Sequence, residues 1–120
     1  MKLIFNLAVA ACLVTGLTSV ADAKDIKKKQ QFMETIVGKK LVSGSTWLIV
    51  SADGKITGDT GKNGKVVGAW VWNKRYFCRN VVIGKNQLPE DCQKVSIDGN
   101  QVTFTREKGA GKATAMTISN

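Results

Sequence analysis

The sequence predicts an α+β domain, mainly β, in which one N-terminal helix packs on a curved antiparallel meander or barrel-like sheet. Helical spacing of apolar residues is confined to residues 25–38. Beyond that segment, short runs of β-branched and aromatic residues alternate with glycine-rich turns at intervals of roughly 8–12 residues. A length of 120 residues allows one small domain.

The first 23 residues have the pattern of a secretory signal peptide. Lys2 precedes an uncharged apolar stretch at 3–17, and an A-x-A-like cleavage site ends at Ala23. We expect a periplasmic or secreted domain of residues 24–120. The apolar stretch is shorter than the roughly 20 residues that span a bilayer, so no transmembrane segment is expected in the mature chain. An uncleaved anchor and lipidation at Cys12 are the alternatives.

The helix is predicted to begin at Asp25, which suits an N-cap, and to end at Gly38, which suits the left-handed position after a helix. Six or seven strands are expected after it. The predicted strands are residues 45–51, 55–59, 65–72, 75–83, 93–97, 101–106 and 113–119.

Cleavage near Ala23 would leave two cysteines, Cys78 and Cys92. An even pair in an exported chain indicates a disulfide. The closed loop of about 15 residues would stabilise the fold by roughly 3 kcal/mol, which matters to a domain this small. Two free thiols are the alternative, but neither a C-x-x-C spacing nor a histidine supports reactivity.

The absence of histidine removes the commonest general base and the commonest metal ligand. Residues 109–112 are no Walker phosphate loop, because Arg106 occupies the position of its first glycine. Residues 59–64 do not begin a calcium loop of the EF-hand type, because its twelfth position is Trp70. We therefore expect no catalytic residue, no metal and no cofactor. An enzyme that uses carboxylates such as those at 90–91 is kept as an alternative.

The chain is strongly basic, with 18 Lys and Arg against 9 Asp and Glu and a formal charge of +9. Strand alternation places Arg75, Phe77 and Arg79 on one face, and Lys85 lies in the polar loop that follows. A basic and aromatic face suits an anionic polymer. Export argues against a specific nucleic acid and favours an anionic envelope component or a protein. A surface that is simply solubilising is the alternative, and a monomer is expected.

The three tryptophans have two interpretations. Trp47, Trp70 and Trp72 either form the core of a small domain or line a ligand cavity. The core is the expected place for them, and Trp70 and Trp72 are retained as candidate ligand contacts.

Several short motifs carry a resemblance that covers most of residues 38–112. They are DGKITG at 53–58, GAWVW at 68–72, YFCR at 76–79, DCQKV at 91–95 and Phe104-Thr105 with Gly109 and Gly111. Together they resemble small exported alphaproteobacterial proteins of unassigned function, some of which carry the label dihydrodipicolinate reductase. The resemblance implies an exported, disulfide-linked β domain. The residues do not support the reductase label, because there is no dinucleotide fingerprint and no room for a Rossmann domain beside a substrate domain.

The leading expectation is an exported, non-enzymatic module that binds a protein or an anionic envelope component. A small-ligand carrier with a tryptophan-lined cavity is the first alternative, and a carboxylate-based enzyme is the second. A carrier requires an internal apolar cavity of roughly 300 Å³ or more.

Overall fold

The computed structural model describes residues 23–119, and strands make up 58% of it, so the mainly-β prediction is confirmed. In this part of the chain the elements are β1 (Lys24–Ile26), α1 (Lys29–Thr35), β2 (Lys40–Ser43), β3 (Thr46–Val50), β4 (Lys55–Asp59), β5 (Lys65–Asn73), β6 (Tyr76–Ile83), β7 (Asn86–Gln87), β8 (Asp91–Asp98), β9 (Gln101–Thr105), a 3₁₀ turn (Glu107–Gly109) and β10 (Ala113–Ser119). The predicted signal peptide lies almost entirely outside the described residues.

Eight of the strands form a closed antiparallel barrel. Their order around the barrel is β2, β3, β4, β5, β6, β8, β9 and β10, and β10 pairs with β2. The two remaining strands are short additions, since β1 pairs with β8 and β7 pairs with β6. A closed barrel leaves no long unpaired strand edge, and one of eight strands is just wide enough to hold side chains or one small ligand.

The barrel closes where β6 meets β8, which we call the seam. Three residue pairs form it, Phe77–Gln93, Cys78–Cys92 and Arg79–Asp91, whereas β5 and β6 share eight pairs. The middle pair of the seam is the Cys78–Cys92 disulfide, with Cα atoms 3.9 Å apart. The predicted disulfide is therefore confirmed, and it links the two strands that close the barrel.

The α-helix is shorter than predicted and begins later. It spans Lys29–Thr35, seven residues, and Lys28 occupies its N-cap without a side-chain hydrogen bond. Asp25 lies instead in β1, where it pairs with Ser96. Ile26 belongs to the sheet and is 1% exposed, so strand pairing overrides the helical spacing of the sequence here. Gly38 has the expected left-handed conformation, with φ of +84°.

The helix covers one end of the barrel, which we call the helix end. Phe32 of the helix is fully buried, and its ring centroid lies 5.3, 5.0 and 5.2 Å from those of Trp70, Trp72 and Phe77. The Trp70 indole N–H also donates to the backbone oxygen of Ser51 at 2.9 Å. Trp70 and Trp72 therefore stabilise the helix end of the barrel as core residues.

Three short strands, β1, β2 and β7, were not expected from the sequence, and β7 lies within the polar loop that was predicted to follow β6. β2 has four residues, of which Leu41 is fully buried. A run this short shows too little alternation to be recognised, and its strand conformation comes from pairing with β3 and β10.

We expect the loss of the disulfide to lower the free energy of unfolding by about 3 kcal/mol, because the cross-link restricts the unfolded chain. Urea unfolding of the Cys78→Ser, Cys92→Ser double variant against the oxidised protein measures this difference. An unchanged free energy of unfolding would show that the seam holds without the cross-link.

Candidate ligand cavity

A cavity of about 320 Å³ lies inside the barrel. Most of its lining side chains are apolar and come from the inward faces of the strands and from the loop after β7. They are Leu41, Leu48, Val50, Ile56, Val66, Phe77, Val81, Ile83, Leu88, Phe104 and Met116. This volume is within the range of small-molecule sites in proteins, roughly 300–1,000 Å³.

The cavity opens at the end of the barrel opposite the helix, which we call the open end. The turns at 44–45 and 60–64 and the loops at 84–90 and 106–112 lie at this end. The polar lining residues other than Arg79 and Gln93 lie near this end, and they are Thr46, Thr60, Arg106, Lys112 and Thr114. A ligand can therefore enter beside these loops and extend toward the apolar interior.

Arg79 is a buried cation in the cavity wall, with 8% of the residue exposed. Its Nη1 donates to the backbone oxygen of Pro89 at 2.7 Å. Within residues 23–119, Trp72 Nε1 is the one fully buried side-chain nitrogen or oxygen without a hydrogen-bond partner, so no guanidinium nitrogen of Arg79 is both fully buried and unpaired. The remaining guanidinium N–H groups of Arg79 are thus not sealed in protein and are accessible from the cavity or from solvent.

The charge of Arg79 is maintained in this site. Burial lowers the pKa of its guanidinium, the negative charge of Asp91 raises it, and the positive charge of Arg106 lowers it, with a net downward direction. Because the ordinary value for arginine is so high, the side chain stays protonated at neutral pH.

Asp91 organises the polar groups around Arg79. Its side chain is 9% exposed, and it faces Arg79 across the seam. The Oδ1 atom accepts from the backbone N–H of Glu107 at 3.1 Å. The Oδ2 atom accepts from Gln93 Nε2 at 3.1 Å and from Arg106 Nε at 3.2 Å. Asp91 therefore holds the guanidinium of Arg106 beside the cavity.

These hydrogen bonds keep Asp91 ionised. Burial raises the pKa of its carboxyl. The hydrogen bonds from Gln93, Glu107 and Arg106 and the charge of Arg79 together lower the pKa by more than burial raises it, so the net direction is downward. A carboxylate with a lowered pKa and both oxygens occupied is a poor general acid or base near neutral pH. The geometry thus gives no support to an enzyme based on Asp91.

The backbone that reaches Asp91 is strained. Glu107 and Lys108 have φ values of +54° and +56°, although neither is glycine. Such conformations cost of order 1–2 kcal/mol per residue and persist where the surroundings require them. Here the strained turn directs the Glu107 N–H at Asp91.

Cations outnumber carboxylates around the cavity. Arg79, Arg106 and Lys112 line it, and Asp91 is hydrogen-bonded to this group. Within residues 23–119 the ion pairs are Arg106–Asp91 at 3.2 Å and Lys94–Asp25 at 3.6 Å, so Arg79 and Lys112 have no carboxylate within ion-pair distance. The acidic residues of the neighbouring loops, at 90 and 107, are exposed. The cavity wall therefore carries a positive excess.

The residues predicted as a binding face do not share an outer surface. Phe77 and Arg79 do lie on one face, as alternation predicted, but that face is the barrel interior. Arg75 is exposed in the turn after β5 and borders a smaller pocket of about 140 Å³, with Tyr76, Lys94 and Lys108 among its other lining residues. Of the remaining candidates, only Lys85 is exposed near the open end.

Trp70 and Trp72, the other candidate contacts, pack at the helix end, and no tryptophan is among the cavity-lining residues of the described chain. The aromatic lining comes from Phe77 and Phe104. The disulfide residues Cys78 and Cys92 contribute indirectly, because they hold the seam that carries Arg79 and Asp91.

Sequence reasoning missed Gln93, Arg106 and Lys112. One signal was present for Gln93, which alternates with buried Val95 on β8 and is itself 6% exposed. A polar residue in register with buried apolar ones marks either a site or a satisfied core group. Arg106 follows β9 and Lys112 precedes β10, so both lie in the loop between these strands, where residue spacing carries no comparable signal.

The described residues were also compared with the requirements of a metal site and of a membrane-spanning helix. Across residues 23–119 there is no cluster of three or more His, Cys, Asp or Glu side chains that would suit a metal ion. In the same residues, no helix has the length and hydropathy needed to cross a membrane.

We expect Asp91→Asn to lower the free energy of unfolding at neutral pH by about 1–3 kcal/mol, because charged hydrogen-bond partners lose their acceptor. The lowered pKa of Asp91 means that its contribution is present above the ordinary carboxyl value of 3.8 and is lost as the pH falls through the folded-state value. Urea unfolding from neutral pH down to about pH 2 should therefore show the difference between wild type and variant shrinking below about pH 4. Asp98→Asn, at the exposed end of β8, is the control. A difference that does not depend on pH would contradict this role.

No protein-family model matches this chain, and no curated protein and no solved structure is significantly similar to it. The cavity and the residues around it are therefore the basis on which a function is proposed.

Proposed function

We propose that this chain is an exported, non-enzymatic carrier that binds a small ligand with an apolar part inside its barrel. The observation that supports this is the cavity of about 320 Å³, lined mainly by aliphatic and aromatic side chains and open at one end. A well-packed barrel of eight strands would fill its interior with side chains. A carrier needs an unfilled volume of this kind, and it lies in the half of the barrel away from the helix.

The division of the barrel supports the same function. The helix end is filled by Phe32, Trp70 and Trp72, which provide a stable core. The open end keeps its volume free. Stability and binding are thus assigned to different halves of one small domain.

Size limits the class of ligand. A water molecule takes about 30 Å³ of liquid volume, and a methylene group about as much, so a cavity of about 320 Å³ has room for roughly ten non-hydrogen atoms. That corresponds to a medium-length acyl chain or a substituted ring. Burial of such a chain would give a Kd on the order of 10–100 µM.

Export is part of this proposal. A disulfide in the described domain is consistent with an oxidising compartment, as in the periplasm or outside the cell. The alternative of a module that binds a protein or an anionic envelope component is less well supported, because Phe77 and Arg79 are buried and leave only Arg75 and Lys85 of the predicted basic contacts exposed.

A bulkier side chain inside the cavity should weaken ligand binding. Val81 lines the cavity and is 6% exposed, whereas Val71 is 62% exposed on the outer face of β5. We expect Val81→Phe to weaken binding of 1-octanol or octanoate at least about tenfold, and Val71→Phe to leave it unchanged. Isothermal titration calorimetry measures both affinities, and circular dichroism checks that each variant is folded.

Leu88→Phe, in the loop that lines the open end, provides a second filling variant if Val81→Phe does not fold. Equal binding by the filled variants and the wild type, or no binding of either ligand to the wild type, would contradict the carrier function.

A further inference from the structure

We propose that the ligand carries a carboxylate head group, which binds to Arg79 inside the barrel while its apolar tail occupies the remainder of the cavity. This inference rests on the proposed carrier function and specifies the ligand class: a small amphiphilic carboxylate with a tail of about eight carbons.

Arg79 is a costly residue for a simple core, because it places a charge in a buried position. Among the described residues, Arg79 is the one charged side chain that is buried, since the other buried polar side chain is the neutral amide of Gln93. Burial of a charge is expensive unless hydrogen bonds and an opposite charge compensate it, and an apolar residue would be tolerated better in a simple core. Arg79 has one protein hydrogen bond, to Pro89, and its other donors have no described protein partner. Asp91 faces Arg79 across the seam but lies beyond ion-pair distance, so its charge compensates Arg79 only in part, and an anionic ligand would supply the rest.

Asp91, the carboxylate that faces Arg79 across the seam, is already engaged by other groups. Both of its oxygens already accept hydrogen bonds, from Glu107, Gln93 and Arg106. Its ion pair is with Arg106, and no carboxylate of residues 23–119 lies within ion-pair distance of Arg79. The nearest protein anion is thus engaged elsewhere, and the Arg79 guanidinium remains available to a ligand.

Charged and apolar groups lie on different parts of the cavity wall. On β6, Arg79 lies between the lining residues Phe77 and Val81, so its charge is set within an apolar wall. Arg106 and Lys112 add positive charge nearer the open end. Across the barrel from β6, β2 and β3 contribute the aliphatic lining residues Leu41 and Leu48. One wall therefore suits an anionic group and the other suits a hydrocarbon chain.

The head group is a carboxylate on grounds of geometry and charge. A guanidinium presents parallel N–H donors that match the two oxygens of a planar carboxylate. Arg79 is the one buried cation among the described residues, since Arg106 and Lys112 line the cavity at more exposed positions, and one negative charge balances it. A phosphate monoester carries up to two negative charges near neutral pH and would need a second buried cation.

A matched pair of ligands tests the head group. Octanoate and 1-octanol are both eight-carbon chains that differ at the first carbon, which is a carboxylate in one and an alcohol in the other, and octyl phosphate carries a phosphate on the octyl chain of 1-octanol. We expect octanoate to bind the wild-type protein about 10- to 100-fold more tightly than 1-octanol, and more tightly than octyl phosphate, by isothermal titration calorimetry.

Variants locate the contact. Arg79→Met is expected to remain folded and at least as thermally stable as the wild type, because it removes a buried charge. It should lose the preference for octanoate and keep its affinity for 1-octanol. Arg75→Gln, an exposed arginine at the helix end, is the control and should bind both ligands as the wild type does. Arg79→Gln is a second variant in case Arg79→Met does not fold.

The outcomes separate the two proposals. Equal affinity for octanoate and 1-octanol in the wild type, tighter binding of octyl phosphate, or an equal effect of Arg79→Met on octanoate and 1-octanol would overturn the carboxylate assignment and leave the carrier function intact. Failure of all three ligands to bind would overturn the carrier function itself.

Discussion

The three residue pairs between β6 and β8 close the barrel, and the Cys78–Cys92 disulfide is the middle one. The pairs on either side place Phe77 with Gln93 and Arg79 with Asp91. A short seam in a domain of this size would be easily opened, because a single small core gives little free energy of folding. The covalent link therefore maintains both the closure of the sheet and the alignment of the polar groups in the cavity.

Stability and binding make opposite demands on a small barrel. At the helix end, Phe32 packs against three aromatic rings and supplies dense apolar contact. The open end keeps an unfilled volume and a buried charge at Arg79, both of which lower stability. The strained turn at Glu107 and Lys108 adds to this cost and also directs an N–H at Asp91. Features that weaken a fold without another explanation are commonest at binding and catalytic sites.

Local sequence signals predicted the local structure well. Turn residues and alternation identified β4 and β10 with their observed bounds, and the cysteine count identified the disulfide. The helix boundary was wrong because Asp25 and Ile26 pair with β8, a segment some seventy residues away that local spacing cannot detect. Alternation correctly placed Phe77 and Arg79 on one face but could not show which side of the sheet becomes the interior. That choice depends on closure at the seam, a property of the whole barrel, and it decides whether Arg79 faces solvent or a ligand.

An anionic amphiphile inside the open half of the barrel, with its head group at Arg79, can be observed directly by isotope-filtered nuclear Overhauser spectroscopy on the labelled protein with unlabelled octanoate. We expect contacts from the octanoate tail to the methyl groups of Leu48 and Val81, together with a shift of the Arg79 guanidinium signals on binding. Contacts confined to the exposed methyl groups of Val67 and Val71 on the outer face of β5, with no change at Arg79, would contradict it.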